Sequence, residues 1–228
     1  MGGRAGAGAG PRAHPAAQAV AAFDFDGTLT RRDSLLSFLV FVRGRATTAR
    51  AVAAESPLFA RVLLGRASRD QAKEALLTRL LAGAEVQQLS DSGRAFAERL
   101  VTREIRPAMR RRLDWHRRAG HRVVIVSASP TIYLDAAGRQ LGVDAVLATE
   151  LEVGPDGRLT GRLAGRNCRG DEKASRLRAW LDSSGYEPSS QVWAYGDSRG
   201  DTEMLALADV ATWVGWRRRL PRHPARGR

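Results

Sequence analysis

An α/β architecture is what this sequence predicts: a doubly wound, mostly parallel sheet carrying an inserted all-helical domain and a β-hairpin flap. Three observations lead there. Short apolar runs ending in Gly, Ser or Asp alternate with stretches of helical periodicity, the pattern of a parallel sheet with helices on both faces. Between the first and second of those runs lies a long Ala-, Leu- and Arg-rich segment, residues 33–106, too long for a plain crossover. Two short strand candidates flank the turn Gly154-Pro155-Asp156-Gly157, whose residues suit a hairpin.

Taken in chain order, residues 1–18 are Gly, Ala and Pro with two Arg; they lack the apolar region of a secretory signal and read as a disordered leader. Residues 19–25 form a short apolar run that opens into a loop at an acidic pair, the end of a strand where open α/β sheets place ligands. Residues 33–106 are expected to fold as a helical cap over the strand ends. A helix is predicted over 107–119, a strand over 122–126 ending at Ser127, and a helix over 131–141. Shorter strands follow at 145–148, 151–153 and 159–161, the last two being the hairpin. The chain then predicts a helix over 171–183, a strand over 191–195, a helix over 202–208 and a strand over 210–214. The catalytic core is thus assigned to 19–32 and 107–216, the cap to 33–106, and a basic tail to 217–228.

At 228 residues the chain can bury one substantial core plus a small insertion. A hydrophobic fraction of 43% argues for a folded chain. The single cysteine, Cys168, allows neither an internal disulfide nor a cysteine zinc site, which suits a reducing compartment and a cytoplasmic location. The longest apolar stretch, residues 35–42, is far short of a bilayer span, so no transmembrane segment is expected. A net charge of +13 raises nucleic acid or an anionic surface as partners. That charge is uneven: residues 107–216 hold fifteen basic and fourteen acidic residues, whereas the last twelve residues hold six Arg and no acid. Contact with nucleic acid or anionic lipid is therefore a property to seek in the tail, and a charge run of this kind ordinarily stays solvated.

The chemistry concentrates in four places. Asp24-Phe25-Asp26-Gly27-Thr28-Leu29-Thr30 sets two carboxylates two residues apart at a strand end, where alternate side chains face one pocket. Carboxylates so close repel each other and call for a cation or a shared proton; Mg²⁺, a hard ion that takes carboxylate, carbonyl and phosphate oxygens, meets that need. Asp197, in Gly196-Asp197-Ser198-Arg199-Gly200-Asp201, ends another strand and offers a further ligand, while Asp201 can cap the next helix or hold a metal-bound water. Ser127 offers a hydroxyl and neighbouring amides at an expected helix N-terminus, suited to a phosphate oxygen or to plain capping. Lys173, one of only two lysines with Lys73, heads the helix before the 191–195 strand. A serine-nucleophile site is excluded, because Ser127 lacks the flanking glycines of a nucleophile elbow.

These four pieces in this order resemble the haloacid-dehalogenase-like superfamily, and most closely its phosphoserine-phosphatase-like hydrolases with a helical cap. The resemblance runs from about residue 19 to residue 214. It implies a Rossmann-like core and a Mg²⁺-dependent phosphomonoesterase working through an aspartyl-phosphate. On that basis Asp24 is the nucleophile and Asp26 the general acid/base, and Ser127 and Lys173 bind phosphate. The Asp24 carboxylate, the Asp26 backbone carbonyl and Asp197 hold the metal, with Asp201 supporting its shell.

Two positions depart from the phosphoserine-phosphatase pattern. An Asp, Asp33, stands where a Glu usually holds the substrate ammonium, and Ala128 and Ser129 replace two glycines. Asp33 is accordingly a substrate-specificity candidate, for phosphoserine or another amine such as phosphoethanolamine or phosphocholine, or a cap for the first lid helix. The substrate expected is a small phosphomonoester. A phosphate-transferring mutase and a binding module acting through the basic tail are the alternative functions.

Overall fold

The computed structural model describes residues 19–186 and 190–215. The expectations of a disordered leader over 1–18 and a basic tail over 217–228 lie outside the described residues.

Five strands form one parallel sheet in the order β3-β2-β1-β6-β7: β1 is Val20–Phe23, β2 Arg122–Pro130, β3 Ala145–Thr149, β6 Val192–Gly196 and β7 Val210–Trp213. β4 (Leu151–Val153) and β5 (Leu159–Leu163) make a separate antiparallel hairpin. The chain leaves β1 to one side for β2 and returns to its other side for β6, so the winding direction reverses at β1. In an open α/β sheet the crevice outside the strand ends at such a reversal is where ligands bind.

Alternation along the strands explains why both faces are covered. Ala21, Phe23, Val123, Ile125, Trp193 and Tyr195 point into one apolar cluster, and Val20, Ala22, Val124, Val126 and Ala194 into the other. The first face is covered by α6 (Pro107–Arg118), through Met109 and Leu113, and by α7 (Thr131–Leu141), through Leu134 and Leu141. The second is covered by α8 (Asp171–Ser183), through Leu177, and by α9 (Thr202–Ala206), through Met204 and Leu205.

Between β1 and α6 the chain forms five helices: α1 (Ser34–Arg43), α2 (Arg45–Ala54), α3 (Ser56–Leu63), α4 (Arg69–Leu81) and α5 (Val86–Arg103). Their apolar residues join the first cluster rather than a separate one. Phe38 of α1 lies 5.3 Å from Phe96 of α5 and 4.8 Å from Tyr133 of α7, ring centre to ring centre, tying insert to body through aromatic contact. Two glycines let backbones meet there. A Cβ at Gly93 of α5 would sit 2.2 Å from the Ile132 carbonyl oxygen of α7, and one at Gly161 of β5 would sit 2.3 Å from the Thr78 Cα of α4. The two strands of chain entering and leaving the insert run antiparallel, with a bridge between Thr30 and Ile105, and the Arg106 amide donates to the Leu29 carbonyl at 2.8 Å.

One element differs from the sequence expectation. β2 runs to Pro130, not to residue 126, and α7 begins at Thr131, so Ser127 lies within the strand, opposite Ala148, and not at a helix N-terminus. The cause is Pro130: a residue preceding proline is pushed to extended backbone, which holds Ser129 out of the helix. Among the described residues no helix is long and apolar enough to cross a membrane.

Candidate active site

The sheet ends set the positions. The Asp24 amide donates to the Tyr195 carbonyl at 2.9 Å, so the residue following β1 is fixed beside β6, two residues before Asp197. The chain then folds into a tight turn over Phe25–Leu29, in which Asp26 keeps an extended backbone (φ −79°, ψ 122°) and Gly27 adopts φ 83°. Gly27 is required twice over. Its left-handed backbone suits glycine, and a Cβ there would stand 2.2 Å from Asp197 Oδ2. The Thr28 hydroxyl donates to Asp197 Oδ1 at 3.3 Å, seating that carboxylate on the turn.

Carboxylate oxygens of Asp24, Asp197 and Asp201 all lie within 4.8 Å of one another. Lys173, a residue 2% exposed, donates through Nζ to Asp24 Oδ1 at 2.5 Å and to Asp201 Oδ1 at 2.6 Å. The other Asp201 oxygen accepts from the Asp197 amide (3.2 Å), the Ser198 amide (2.9 Å) and the Ser198 hydroxyl (3.0 Å). Both Asp201 oxygens are thus engaged, and its side chain packs where a Cβ at Gly196 would come within 2.5 Å. Asp24 Oδ2, by contrast, is buried with no hydrogen-bond partner, an arrangement that ordinarily costs free energy. An orphaned buried carboxylate oxygen beside a second carboxylate and a backbone turn is a hard-oxygen set of the kind Mg²⁺ takes, so the residues present fit that ion.

The electrostatics follow from this crowding. Burial pushes the Asp24 carboxyl up to about 7, against the pull of the Lys173 ammonium, and the neighbouring Asp201 adds to the rise. Asp197 is raised as well, by burial and then by Asp201. Burial opposes the charge on Lys173, but Asp24 and Asp201 override it and hold the ammonium above its usual range. The cluster is short of positive charge, which a divalent cation would supply.

Asp26 points elsewhere. Its Oδ1 accepts from the Ser34 amide at 2.9 Å and its Oδ2 from the Ser129 hydroxyl at 2.5 Å. Burial lifts its carboxyl to about 6, with Asp33 adding to the rise and the Ser129 and Ser34 hydrogen bonds opposing it. A carboxyl poised near neutrality suits proton transfer. Ser127 Oγ accepts from the Ser129 amide at 3.1 Å and donates to no described residue.

A cavity of about 230 Å³ opens over these groups. Every residue singled out from sequence lines it: Asp24, Asp26, Asp33, Ser127, Lys173, Asp197 and Asp201. Asp33 serves as the N-cap of α1, its Oδ1 accepting from the Leu35 and Leu36 amides at 2.9 and 3.3 Å. The helical insert and a neighbouring loop contribute further groups that no sequence motif marks. Lys73 of α4 donates to the Ala128 carbonyl at 2.5 Å and to Asn167 Oδ1 at 2.8 Å, and burial lowers its ammonium to about 8. Arg69 and Arg169 also line the cavity. The one available signal was compositional: a second lysine in a chain that otherwise uses arginine.

Comparison with known proteins agrees with this geometry. Residues 21–206 match the family model for haloacid dehalogenase-like hydrolase. The chain is 40% identical to Protein CicA of Caulobacter vibrioides over 190 residues, covering 82% of each. It is 32% identical over 204 residues to a probable phosphatase of Mycobacterium tuberculosis, covering 88% of this chain and 70% of that one. Among solved structures, a phosphoserine phosphatase holding a phospho-aspartyl intermediate analogue shares the fold, with a TM-score of 0.59 at 20% identity over 84% of this chain and 83% of that chain.

Proposed function

The chain belongs to the haloacid dehalogenase-like hydrolases and is a phosphatase, and on that premise we propose that it is a Mg²⁺-dependent phosphomonoesterase that hydrolyses a small phosphorylated metabolite through phosphorylation of Asp24. The observation that carries this reading is the buried Asp24 carboxylate, one oxygen of it unpartnered, which offers an oxygen within 4.8 Å of one from Asp197 beside the Lys173 ammonium.

The Asp24 and Asp197 carboxylates and the Asp26 backbone carbonyl are the groups that would hold Mg²⁺. When bound, the ion offsets the negative charge of the phosphate and of the attacking carboxylate. Lys173 supports the same end: its ammonium, already paired with Asp24, holds the nucleophile in place and presents positive charge to the incoming phosphoryl group. Ser127, whose hydroxyl proton is uncommitted to described residues, donates to a phosphate oxygen. An Asp24 oxygen attacks phosphorus in line while the ester P–O bond breaks. The departing alkoxide takes the proton of Asp26, whose carboxyl is held near 6. Asp26, now ionised, removes a proton from water; that water attacks phosphorus, the Asp24 O–P bond breaks, and inorganic phosphate leaves. Ser129 and the Ser34 amide hold Asp26 aside from the cation cluster, so the two acids serve different roles.

Amine recognition by Asp33, as in a phosphoserine-type substrate, receives little support, because that carboxylate caps α1. The test is phosphate release from an aryl phosphate: activity should require Mg²⁺ and vanish in Asp24→Asn, and activity retained by that variant would defeat the proposal.

A further inference from the structure

The cavity over Asp24 adjoins a second one of about 410 Å³, lined among others by Asp70, Glu74, Arg166 and Asn167. Two residues line both cavities: Arg69, from α4 of the lid, and Arg169, from the loop before α8. They therefore stand on the wall that the two cavities share.

What distinguishes the two arginines from their neighbours Arg166 and Arg176 is that no protein acid among the described residues pairs with them while they line the catalytic cavity. Arg166 pairs with Asp171 and Glu172, and Arg176 with Glu172. Among the described residues, neither Arg69 nor Arg169 forms a side-chain hydrogen bond or an ion pair. The acids nearby are already engaged. Asp70 accepts from Asn167 Nδ2 at 2.6 Å, Glu74 from the Leu163 amide at 3.0 Å, and Asp33 from the amides of α1. Lys173 is committed to Asp24 and Asp201, and Lys73 to the Ala128 carbonyl and Asn167. Arg169 is also held in position. Its Nη1 lies 3.0 Å from where a Cβ at Gly200 would stand, so the guanidinium rests over the glycine of the Asp197–Asp201 loop, and a methyl there would press it aside by a few tenths of an ångström.

Two planar, forked donor groups lining one cavity, neither paired with a protein acid among the described residues, match an oxyanion, which guanidinium binds bidentately. We propose that Arg69 and Arg169 form a lid-and-body pair that reads a second anionic group of the substrate. The substrate is then a small phosphate ester whose far end carries a phosphate or a carboxylate rather than an ammonium. The combined charge of the pair favours the doubly charged phosphate. This inference rests on the phosphomonoesterase reading of the same site.

The experiment uses the full chain with Mg²⁺ and matched two-, three- and four-carbon phosphate esters whose far end is a hydroxyl, an ammonium, a carboxylate or a second phosphate. A charge-assisted hydrogen bond contributes about 1.5–3 kcal/mol, so kcat/KM for the anionic esters should exceed that for the hydroxyl ester by roughly tenfold to a hundredfold, chiefly through KM. The ammonium ester should fall below the hydroxyl ester, and added salt should raise KM for the anionic esters more steeply. The double variant Arg69→Gln with Arg169→Gln should lose at least about tenfold more on the anionic esters than on the hydroxyl ester, by the same charge-assisted contribution. Gly200→Ala, which presses on the Arg169 guanidinium and leaves its charge in place, should reduce the same preference by a smaller factor than the double variant does. The rank of phosphate against carboxylate identifies which oxyanion is read. Equal or better turnover of the hydroxyl or ammonium ester, or equal losses across the series in the double variant, would overturn the inference. Absence of Mg²⁺-dependent release from every ester would instead overturn the phosphomonoesterase reading beneath it.

Discussion

Replacing Lys173 with Met tests the electrostatic arrangement at the centre of the site. The side chain is 3% exposed and its ammonium bridges Asp24 and Asp201, whose side chains are 7% and 1% exposed. Met fills similar volume but removes the charge, leaving two carboxylates buried against each other beside Asp197. Breaking a buried ion pair by deleting one partner costs about 3–5 kcal/mol, because the remaining charge is left uncompensated. At about 2–4 °C per kcal/mol for a chain of this size, the melting temperature of the Mg²⁺-free variant should fall by roughly 6–20 °C. The pH dependence has a definite sign: protonating the orphaned carboxylates removes their repulsion, so the deficit should shrink as pH falls and grow as it rises. Adding Asp201→Asn should recover part of the loss, since it deletes one of the two stranded charges. The assay is urea unfolding of both variants and the wild type at several pH values without metal. A loss below about 1 kcal/mol, of the size seen for exposed pairs, would refute the picture of a buried, mutually dependent triad.

Other perturbations have equally specific outcomes. Asp26→Asn should lower kcat by about 10²–10⁴-fold, the usual contribution of a positioned proton donor. In the wild type, kcat/KM should decline above pH of about 6, because Asp26, the proposed proton donor to the leaving oxygen, is held there, and steady-state kinetics of the Asn variant should lack that limb. Gly27→Ala introduces a Cβ 2.2 Å from Asp197 Oδ2 at a backbone φ of 83°, so the Mg²⁺ concentration for half-maximal activity should rise. Its backbone penalty should be only roughly 1–2 kcal/mol in urea unfolding. Gly93→Ala forces α5 away from the Ile132 carbonyl; such overpacking costs roughly 1–3 kcal/mol, and kcat/KM should fall because the lid no longer seats on α7.

Much of this was legible in the sequence because it depends on local pattern. The α8 span, residues 171–183, and the Asp171–Glu172 acids in its first turn follow from periodicity and helix-end chemistry, and the hairpin follows from its Gly-Pro-Asp-Gly turn. The alternation of Val20 through Phe23 fixes which way each residue points, and with it the place of Asp24. What escaped depends on distant pieces meeting. The extension of β2 to Pro130 turns on a proline whose effect reaches backward along the chain. The bond from Ser129 to Asp26 joins residues far apart in sequence, and nothing at either position announces it. Arg69 and Arg169 look like ordinary members of an arginine-rich chain until the lid docks and leaves both without acids. Cys168, a reactive residue by type, is buried, and burial pushes its thiol up to about 11, so it takes no part.

The most direct test of the account is chemical capture of the phosphorylated residue. Acid-quenching the enzyme during turnover and reducing with borohydride converts an acyl phosphate on Asp to homoserine, and peptide mass spectrometry locates it. The account predicts homoserine at position 24, dependent on Mg²⁺ and substrate. Turnover with no homoserine at that position, or with the label on another residue, would contradict it.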